Sequence, residues 1–311
     1  MEIRPLPALL QEKAIKEINE DPDRIAVDIN DLRRWFENQP HLAAIKPCDQ
    51  WLVAFLRGNK YSLEKTKKKL DMCYTLRTIV PEIFQNRDPF DPIIQEILKL
   101  GVFLPLTITE AEDSCRVCLQ RLGAFDPLKY RFIDLMKAIF MIVDILILED
   151  DNFVIAGEDL LVDLKGVGIR TFIQWTPSMA KKVITIFEKA LPIRMKSSHI
   201  LHAPYGFKAA YSLLRIFLSE KLKKRFYVYN QQFDAIYEVI PRNILPKEYG
   251  GENESVQQLT DYWKEKVESY SDWYRREEHV RSEESLRPAA LNTNQTLFGL
   301  RIRGLFPNIT E

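Results

Sequence analysis

The sequence predicts an α/β C-terminal lobe, with a largely parallel or mixed sheet flanked by helices, preceded by an all-α N-terminal lobe. Apolar residues within residues 1–85 recur at helical spacing. From about residue 100, short apolar runs of strand character alternate with amphipathic helical stretches, which is the order expected of a parallel sheet. The 311 residues suffice for one large or two modest domains.

The N-terminal lobe is predicted to contain three successive helices within 28–39, 48–61 and 62–84. The second is expected to end at Gly58-Asn59, and the third carries Glu64 in its first turn. The apolar positions that define these helices are Leu32, Trp35, Phe36, Trp51, Leu52, Phe55, Leu56, Leu63, Leu70, Cys73, Tyr74 and Leu76.

The C-terminal lobe is predicted from strands and helices that follow each other in turn. Runs bounded by glycine, proline or aspartate turn signals are typical of short buried strands. The expected strands are 102–109, 115–123, 159–168, 197–204 and 224–230, and the expected helices are 130–149, 178–191 and 206–218. The charged last 50 residues predict a surface helix and then an irregular tail.

The charge balance excludes a general nucleic-acid binder. The chain has 44 basic and 44 acidic side chains, whereas such proteins carry a basic excess. Any anionic partner must therefore meet a local patch. One candidate is the stretch "EKLKKRF", which places four cations within residues 221–225.

Cysteine usage and the apolar runs favour a reduced, cytosolic protein. Charged residues follow "MEIRPLPALL", so we expect no signal peptide. The run Ala138–Leu148 is about half a membrane span and contains Asp144, which predicts a buried helix. Cys115 and Cys118 would point to opposite faces of a strand, which argues against a shared metal ion. The other cysteines are Cys48 and Cys73.

No catalytic constellation is apparent. The sequence has no G-x-S-x-G, P-loop, G-x-G-x-x-G or H-E-x-x-H motif, and Gly166-Val167-Gly168 lacks a third glycine. His199 and His202 would face opposite ways on a strand. The pattern indicates binding rather than catalysis, with no metal and no cofactor.

Five segments in register resemble the CRAL-TRIO lipid-binding family, which includes retinaldehyde-binding, tocopherol-transfer and fungal phosphatidylinositol-transfer proteins. They are "FLRGNKYSLEKTKKKL", "VDLKGVG", "ALPIRMKSSHILHAPYGF", "FLSEKLKKRFYVYN" and "ILPKEYGG". The closing "LFGLRIRGLF" is similar to the tail of insect members. The resemblance implies four parts: an N-terminal extension (1–29), a helical lobe (30–90), a lipid-binding domain (91–267), and a charged helix with a C-terminal tail (268–311).

The resemblance also implies a cavity for one lipid, with an apolar wall. Each wall position could equally be ordinary core. Asp144 could bind a ligand hydroxyl or a polar group of the protein itself. Ile193 stands where phosphatidylinositol-transfer members carry glutamate, which disfavours an inositol head group inside. The implied wall residues are Phe140, Asp144, Val162, Val167, Ile169, Val183, Ile186, Phe187, Leu191 and Ile193.

A mobile gate helix and a basic cleft are implied beside this cavity. The gate matches residues 205–218, with an apolar stripe of Phe207, Tyr211, Leu214 and Leu218. If helix continued through 220–226, three of its cations would share one face. The cleft that grips phosphoinositides would consist of Arg194, Lys196, Lys221 and Arg225, with Asn59 at a fifth position beside Arg57 and Lys60. The alternative is a solvated helix end favoured by its own dipole.

The sequence therefore predicts a non-enzymatic cytoplasmic carrier that associates peripherally with membranes. It would bind one small hydrophobic lipid, such as a tocopherol, retinoid, carotenoid or similar molecule, and exchange it at phosphoinositide-containing membranes. The alternatives are a phosphatidylinositol or phospholipid transfer protein and a lipid-sensing regulatory scaffold with a protein partner.

Overall fold

A computed structural model describes residues 3–107, 109–229, 233–288, 296–297 and 300–301, without the side chains of 233 and of the last two pairs. Six helices precede the first strand. They are α1 (Ala8–Ile18), α2 (Ile25–Glu37), α3 (Asp49–Gly58), α4 (Leu63–Ile79), α5 (Pro81–Phe84) and α6 (Pro92–Lys99). The predicted all-helical N-terminal lobe is therefore confirmed.

Aromatic side chains hold α2, α3 and α4 together. The Phe36 ring of α2 meets Tyr74 of α4 edge-on, with 5.8 Å between centroids. Within α3, Trp51 packs against Phe55 at 5.4 Å, and Arg77 of α4 lies over the Trp51 ring, 5.6 Å from its centroid. All four aromatic side chains are buried, so the helical spacing read from the sequence produces one shared core. The α1 helix packs differently, because its buried residues contact Ile155 and form a small second cluster.

A five-stranded sheet in the order β1-β2-β3-β4-β5 forms the C-terminal lobe. The edge strand β1 is antiparallel to β2, and the other three pairings are parallel, so the sheet is mixed but largely parallel, as predicted. The strands are β1 (Phe103–Pro105), β2 (Arg116–Arg121), β3 (Glu158–Asp163), β4 (Met195–Leu201) and β5 (Phe226–Tyr229).

Eight further helices cover and extend this sheet. Next to α10, a π-helical turn spans Ile186–Ala190. The helices are α7 (Phe132–Glu149), α8 (Asp151–Ile155), α9 (Ile169–Gln174), α10 (Pro177–Thr185), α11 (Phe207–Arg215), α12 (Glu220–Lys223), α13 (Val256–Ser269) and α14 (Ser271–Glu277). Two short strands, β6 (Thr296–Leu297) and β7 (Leu300–Arg301), pair separately.

The α7 helix is the centre of the molecule. Every residue from Ala138 to Leu148 is buried, as expected for a core helix that is apolar on all sides. Across the described ranges, no helix combines the length and apolar character needed to cross a membrane.

The strand predicted at 224–230 is found as β5, and helix does not continue through 220–226, because α12 ends at Lys223 and β5 begins at Phe226. Two details differ from the sequence-based expectations. The charged C-terminal stretch is not a surface element throughout, since Trp263 and Tyr274 are buried. The α2 helix begins at Ile25 and so crosses the domain boundary placed at residue 30. Most of the predicted C-terminal tail lies outside the described residues, including the "LFGLRIRGLF" segment apart from Leu297, Leu300 and Arg301.

Candidate functional site

A cavity of about 450 Å³ lies between one face of the sheet and a cover made by α9, α10 and α11. Side chains alternate along a strand, so Leu160, Val162 and Leu164 face the cavity together. Ile200 on β4 and Phe226 on β5 continue this floor. From α7, Met136 and Ile139 complete an almost wholly apolar enclosure.

The α11 helix covers the cavity with the stripe predicted for the gate. Phe207, Tyr211, Leu214 and Leu218 all lie in the wall. The Phe207 and Tyr211 rings stack at 5.7 Å, and Tyr211 reaches Phe226 on the floor at 5.4 Å. No residue of α11 is fully buried, in contrast to α7. The cover is therefore attached to the molecule more weakly than the helices of the core.

Four of the ten implied wall residues lie in the wall, namely Val162, Ile169, Val183 and Phe187. Phe140 lies behind this wall, with its ring 5.0 Å from Phe187 and 5.9 Å from Phe84. Those outside the wall are Phe140, Asp144, Val167, Ile186, Leu191 and Ile193, and the ordinary-core interpretation fits them.

Asp144 binds a polar group of the protein rather than facing the cavity. Its Oδ2 accepts a hydrogen bond of 2.5 Å from Arg87 Nη1, and both side chains are buried. The Arg87 guanidinium also lies over the rings of Phe84 and Tyr274, at 5.8 and 5.5 Å from their centroids. Of the two alternatives for Asp144, this arrangement favours the polar group of the protein itself, because a carboxylate in an apolar helix needs a partner and Arg87, in the segment between α5 and α6, is that partner.

Polar wall residues were missed by the sequence analysis. Gln120, Glu158 and Ser198 line the floor from three neighbouring strands. Strand alternation could have identified Glu158, because it lies four residues before the predicted wall residue Val162. Ile173 and Trp175, in and just after α9, were missed because this short helix was not predicted.

The four predicted cleft residues surround the amino ends of β4 and β5. Arg194 precedes β4 and Arg225 precedes β5, and these parallel strands are neighbours. Arg194 donates to the Ile155 carbonyl and Arg225 to the Met195 carbonyl. Lys196 Nζ lies 3.9 Å from Glu17 Oε2. We call Arg194, Lys196, Lys221 and Arg225 the basic cluster.

The pKa of Lys221 is lowered, in part because other cations of the basic cluster repel its charge. Burial lowers this pKa, and so do the neighbouring charges of Arg225, Arg194, Lys60 and Lys65. Burial likewise lowers the pKa of Arg194, with Arg225 acting in the same direction. Such a concentration of cations favours an anion that carries several charges, such as a phosphorylated head group.

Helix α4 contributes cations that were not predicted for this cluster. Lys65 acts on Lys221, and Lys69 donates to the Leu191 carbonyl at 2.7 Å. Burial lowers the pKa of Lys69, and the nearby Lys221 acts in the same direction, so that the pKa lies at about 8. Arg57, by contrast, is buried and bound to Glu20 at 2.8 Å and to Asp151 at 2.9 Å, so it is not available to an anion.

Metal binding has no support within the part of the chain that the structure describes. No group of three or more histidine, cysteine or acidic side chains there could hold a metal ion. Cys118 is buried on β2, and the Cys115 Sγ donates to the Ala156 carbonyl. The described thiols are free, and burial raises the pKa of Cys115 to about 11, which makes it a poor nucleophile at neutral pH.

Comparison with known proteins gives two family matches. Residues 108–251 match the CRAL/TRIO domain, and residues 21–94 match the Pinta-like UBA domain. A Mus musculus protein named alpha-tocopherol transfer protein-like is 31% identical over 239 residues, which cover 77% of this chain and 68% of that protein. Homo sapiens clavesin-2 is 27% identical over 241 residues, with 77% and 73% covered. The crystal structure of Sfh5 superposes with a TM-score of 0.49 and 16% identity over 79% of this chain and 98% of that one, and it adds nothing to the assignment.

Proposed function

This chain belongs to the CRAL-TRIO family of lipid-binding and lipid-transfer proteins, and from that premise we propose that it carries one small hydrophobic lipid and exchanges it at phosphoinositide-bearing membranes. The observation that carries the proposal is the apolar cavity of about 450 Å³ beneath a weakly attached helix. This volume lies in the lower part of the range of about 300–1,000 Å³ typical of ligand pockets. It suits a tocopherol, a retinoid or a carotenoid-like molecule.

Exposed apolar side chains around the cavity support exchange at a membrane surface. Ile169 and Ile173 line the cavity and are also exposed. Tyr205 and Ile216, just before and just after α11, are exposed as well. Such side chains gain free energy by entering the headgroup boundary of a bilayer. The proposal therefore includes peripheral association with a membrane, and it takes the protein to be cytoplasmic.

The basic cluster supports recognition of a phosphoinositide outside the cavity. Among the described residues, the cavity wall contains no lysine or arginine, so a phosphate inside would lack a cationic partner. This disfavours transfer of phosphatidylinositol with its head group enclosed. Ile193 does not bear on the question, because it lies outside the wall. The proposal needs no covalent chemistry, no cofactor and no metal.

Charge reversal tests the membrane step. The double variant Lys221→Glu/Arg225→Glu should lose binding to vesicles containing phosphatidylinositol bisphosphate. Each basic residue contributes about 1 kcal/mol near an anionic surface, so neutralising one costs roughly fivefold in affinity and reversing it costs more. Lys223→Glu is the control for the Lys221→Glu change in this double variant, because Lys223 is on the same helix but is paired with Glu220 at 2.6 Å. It should weaken vesicle binding less than Lys221→Glu.

Cargo binding is measured on the same proteins. Native mass spectrometry with extraction should recover one lipid per chain, equally for wild type and for the double variant. Unchanged vesicle binding in the double variant would refute the proposal that the basic cluster binds phosphoinositide-containing membranes. A purified protein that holds no lipid and takes up no retinoid, tocopherol or carotenoid would overturn the carrier function itself.

A further inference from the structure

Three polar side chains interrupt the otherwise apolar floor of the cavity. Gln120, Glu158 and Ser198 come from β2, β3 and β4, and all three line the cavity. Leu160 on β3 is paired with Ser198 on β4, and paired residues of parallel strands point to the same face. A carrier of pure hydrocarbon would place apolar residues at these positions.

Ser198 has an unmet hydrogen-bonding requirement. Its side chain is fully buried, and its Oγ has no partner among the described residues. Its neighbours at the same level of the sheet are Leu160 and Phe226, which offer no polar atoms from their side chains. Buried hydroxyl groups are nearly always hydrogen-bonded, and a partner supplied by the cargo would meet this requirement.

Glu158 is a buried carboxyl group without a counter-charge. Its residue is 3% exposed, and no cation is among the described groups that act on its pKa. Burial raises the pKa of this carboxyl to about 7, although the hydrogen bond from the Cys118 thiol acts in the opposite direction. Near neutral pH a large fraction of the side chain is therefore protonated and can donate a hydrogen bond.

We propose that Ser198 and Glu158 bind an oxygen atom of the cargo, so that the protein selects a lipid bearing a hydroxyl or carbonyl group over the corresponding hydrocarbon. This inference rests on the proposed carrier function. It assigns an orientation to the cargo, with the oxygenated end on the sheet and the hydrocarbon against α9 and α11. A protonated carboxyl and a hydroxyl together can donate to a carbonyl, or donate to and accept from an alcohol.

Matched lipid pairs test the selection directly. Full-length protein is offered equimolar retinol and its deoxygenated hydrocarbon, cholesterol and cholestane, or zeaxanthin and β-carotene, and bound lipid is quantified by native mass spectrometry. Wild type should retain the oxygenated member of at least one pair with a preference of about tenfold. Each hydrogen bond accounts for roughly 3- to 10-fold in affinity.

Two variants remove the polar groups with little change in shape. Ser198→Ala and Glu158→Met should each reduce the preference by roughly 3- to 10-fold, while binding of the hydrocarbon member is unchanged or improved. Ser197→Ala is the matched control, because Ser197 is adjacent on β4, faces the other side of the sheet and donates to Asp159 at 2.6 Å. It should leave the preference as in wild type.

The outcomes separate this inference from the carrier function. Equal retention of both members of every pair by wild type, or a preference that neither variant changes, would overturn the polar subsite and leave the carrier function standing. Failure to bind any member of any pair would overturn the polar subsite, and it would overturn the carrier function as well if the protein also takes up no tocopherol.

Discussion

Replacing Asp144 by asparagine should destabilise the fold without weakening cargo binding. Asp144 and Arg87 are 3% and 1% exposed at their side chains. Two other nitrogens of Arg87, Nε and Nη2, have no hydrogen-bond partner among the described residues. The ion pair with Asp144 is therefore the main interaction that compensates for burying the Arg87 charge. Removing one member of such a buried pair costs about 3–5 kcal/mol. That is a large part of the ordinary stability of about 5–15 kcal/mol.

Urea unfolding followed by tryptophan fluorescence measures this effect. With a slope of about 2–3 kcal/mol per M, the midpoint of Asp144→Asn should fall by roughly 1–2 M. The double variant Arg87→Met/Asp144→Leu should recover most of the loss, because replacing a buried ion pair by apolar side chains is often neutral. The dissociation constant for the cargo, measured on folded protein, should stay at the wild-type value.

An exposed ion pair provides the control. Asp272→Asn breaks the pair between Asp272 and Arg275, whose side chains are 74% and 78% exposed, and it should cost no more than about 1 kcal/mol. A midpoint for Asp144→Asn as high as that of Asp272→Asn would refute the reasoning. So would a stable Asp144→Asn protein with weakened cargo binding, since Asp144 would then be a ligand contact.

Three further changes have outcomes that the structure determines. Gly58→Ala should destabilise the fold by about 1–3 kcal/mol, because the new Cβ would lie 2.2 Å from the Pro192 carbonyl oxygen. The matched control is Gly168→Ala, whose new Cβ would meet no heavy atom within 4 Å, so its urea midpoint should not fall. Between pH 4.5 and 7 the folded protein holds a proton on Glu158 that the unfolded chain releases. The contribution of Glu158 to the free energy of unfolding therefore falls as pH rises. Glu158→Gln removes this contribution, so it should narrow the difference between the urea midpoints at pH 5 and pH 7.5. Truncation after residue 270 should lower the urea midpoint, because Tyr274 donates to the Met141 carbonyl at 2.9 Å and Arg287 donates to Asp71 at 2.7 Å. It should also remove any partner site in this segment. An unchanged urea midpoint would show the segment to be dispensable for folding.

Strand and helix positions could be predicted because their periodicities are local. The five strands of the sheet and the cover helix were found from runs of apolar residues and turn signals. Their order in the sheet is the order in the chain, as expected because strands that follow each other in sequence usually lie side by side. The predicted strand at 224–230 overlapped a conditional helix through 220–226, and the overlap is resolved by the pairing of Phe226 with Ser198, a contact distant in sequence.

The cavity wall was predicted less well because α7 is apolar on every side. A helix of this kind gives no periodic signal for which residues face the ligand and which face other helices. Phe140 was placed in the wall on that helix, whereas Met136 and Ile139 lie there. On β3, by contrast, alternation is strict, so the position of Val162 also determines those of Leu160 and Glu158.

The cavity and the basic cluster meet at α12. Leu222 lies in the cavity wall, while the adjacent Lys221 is repelled by Arg194 and Arg225. Just before α12, the Ser219 amide donates to Glu188 at 3.0 Å, and Glu188 also lines the cavity. A polyanion bound at the cluster would relieve the repulsion on Lys221 and fix this four-residue helix in one position. Because Leu222 is next to Lys221 in α12, an anion that fixes this helix would also fix the part of the cavity wall that Leu222 forms.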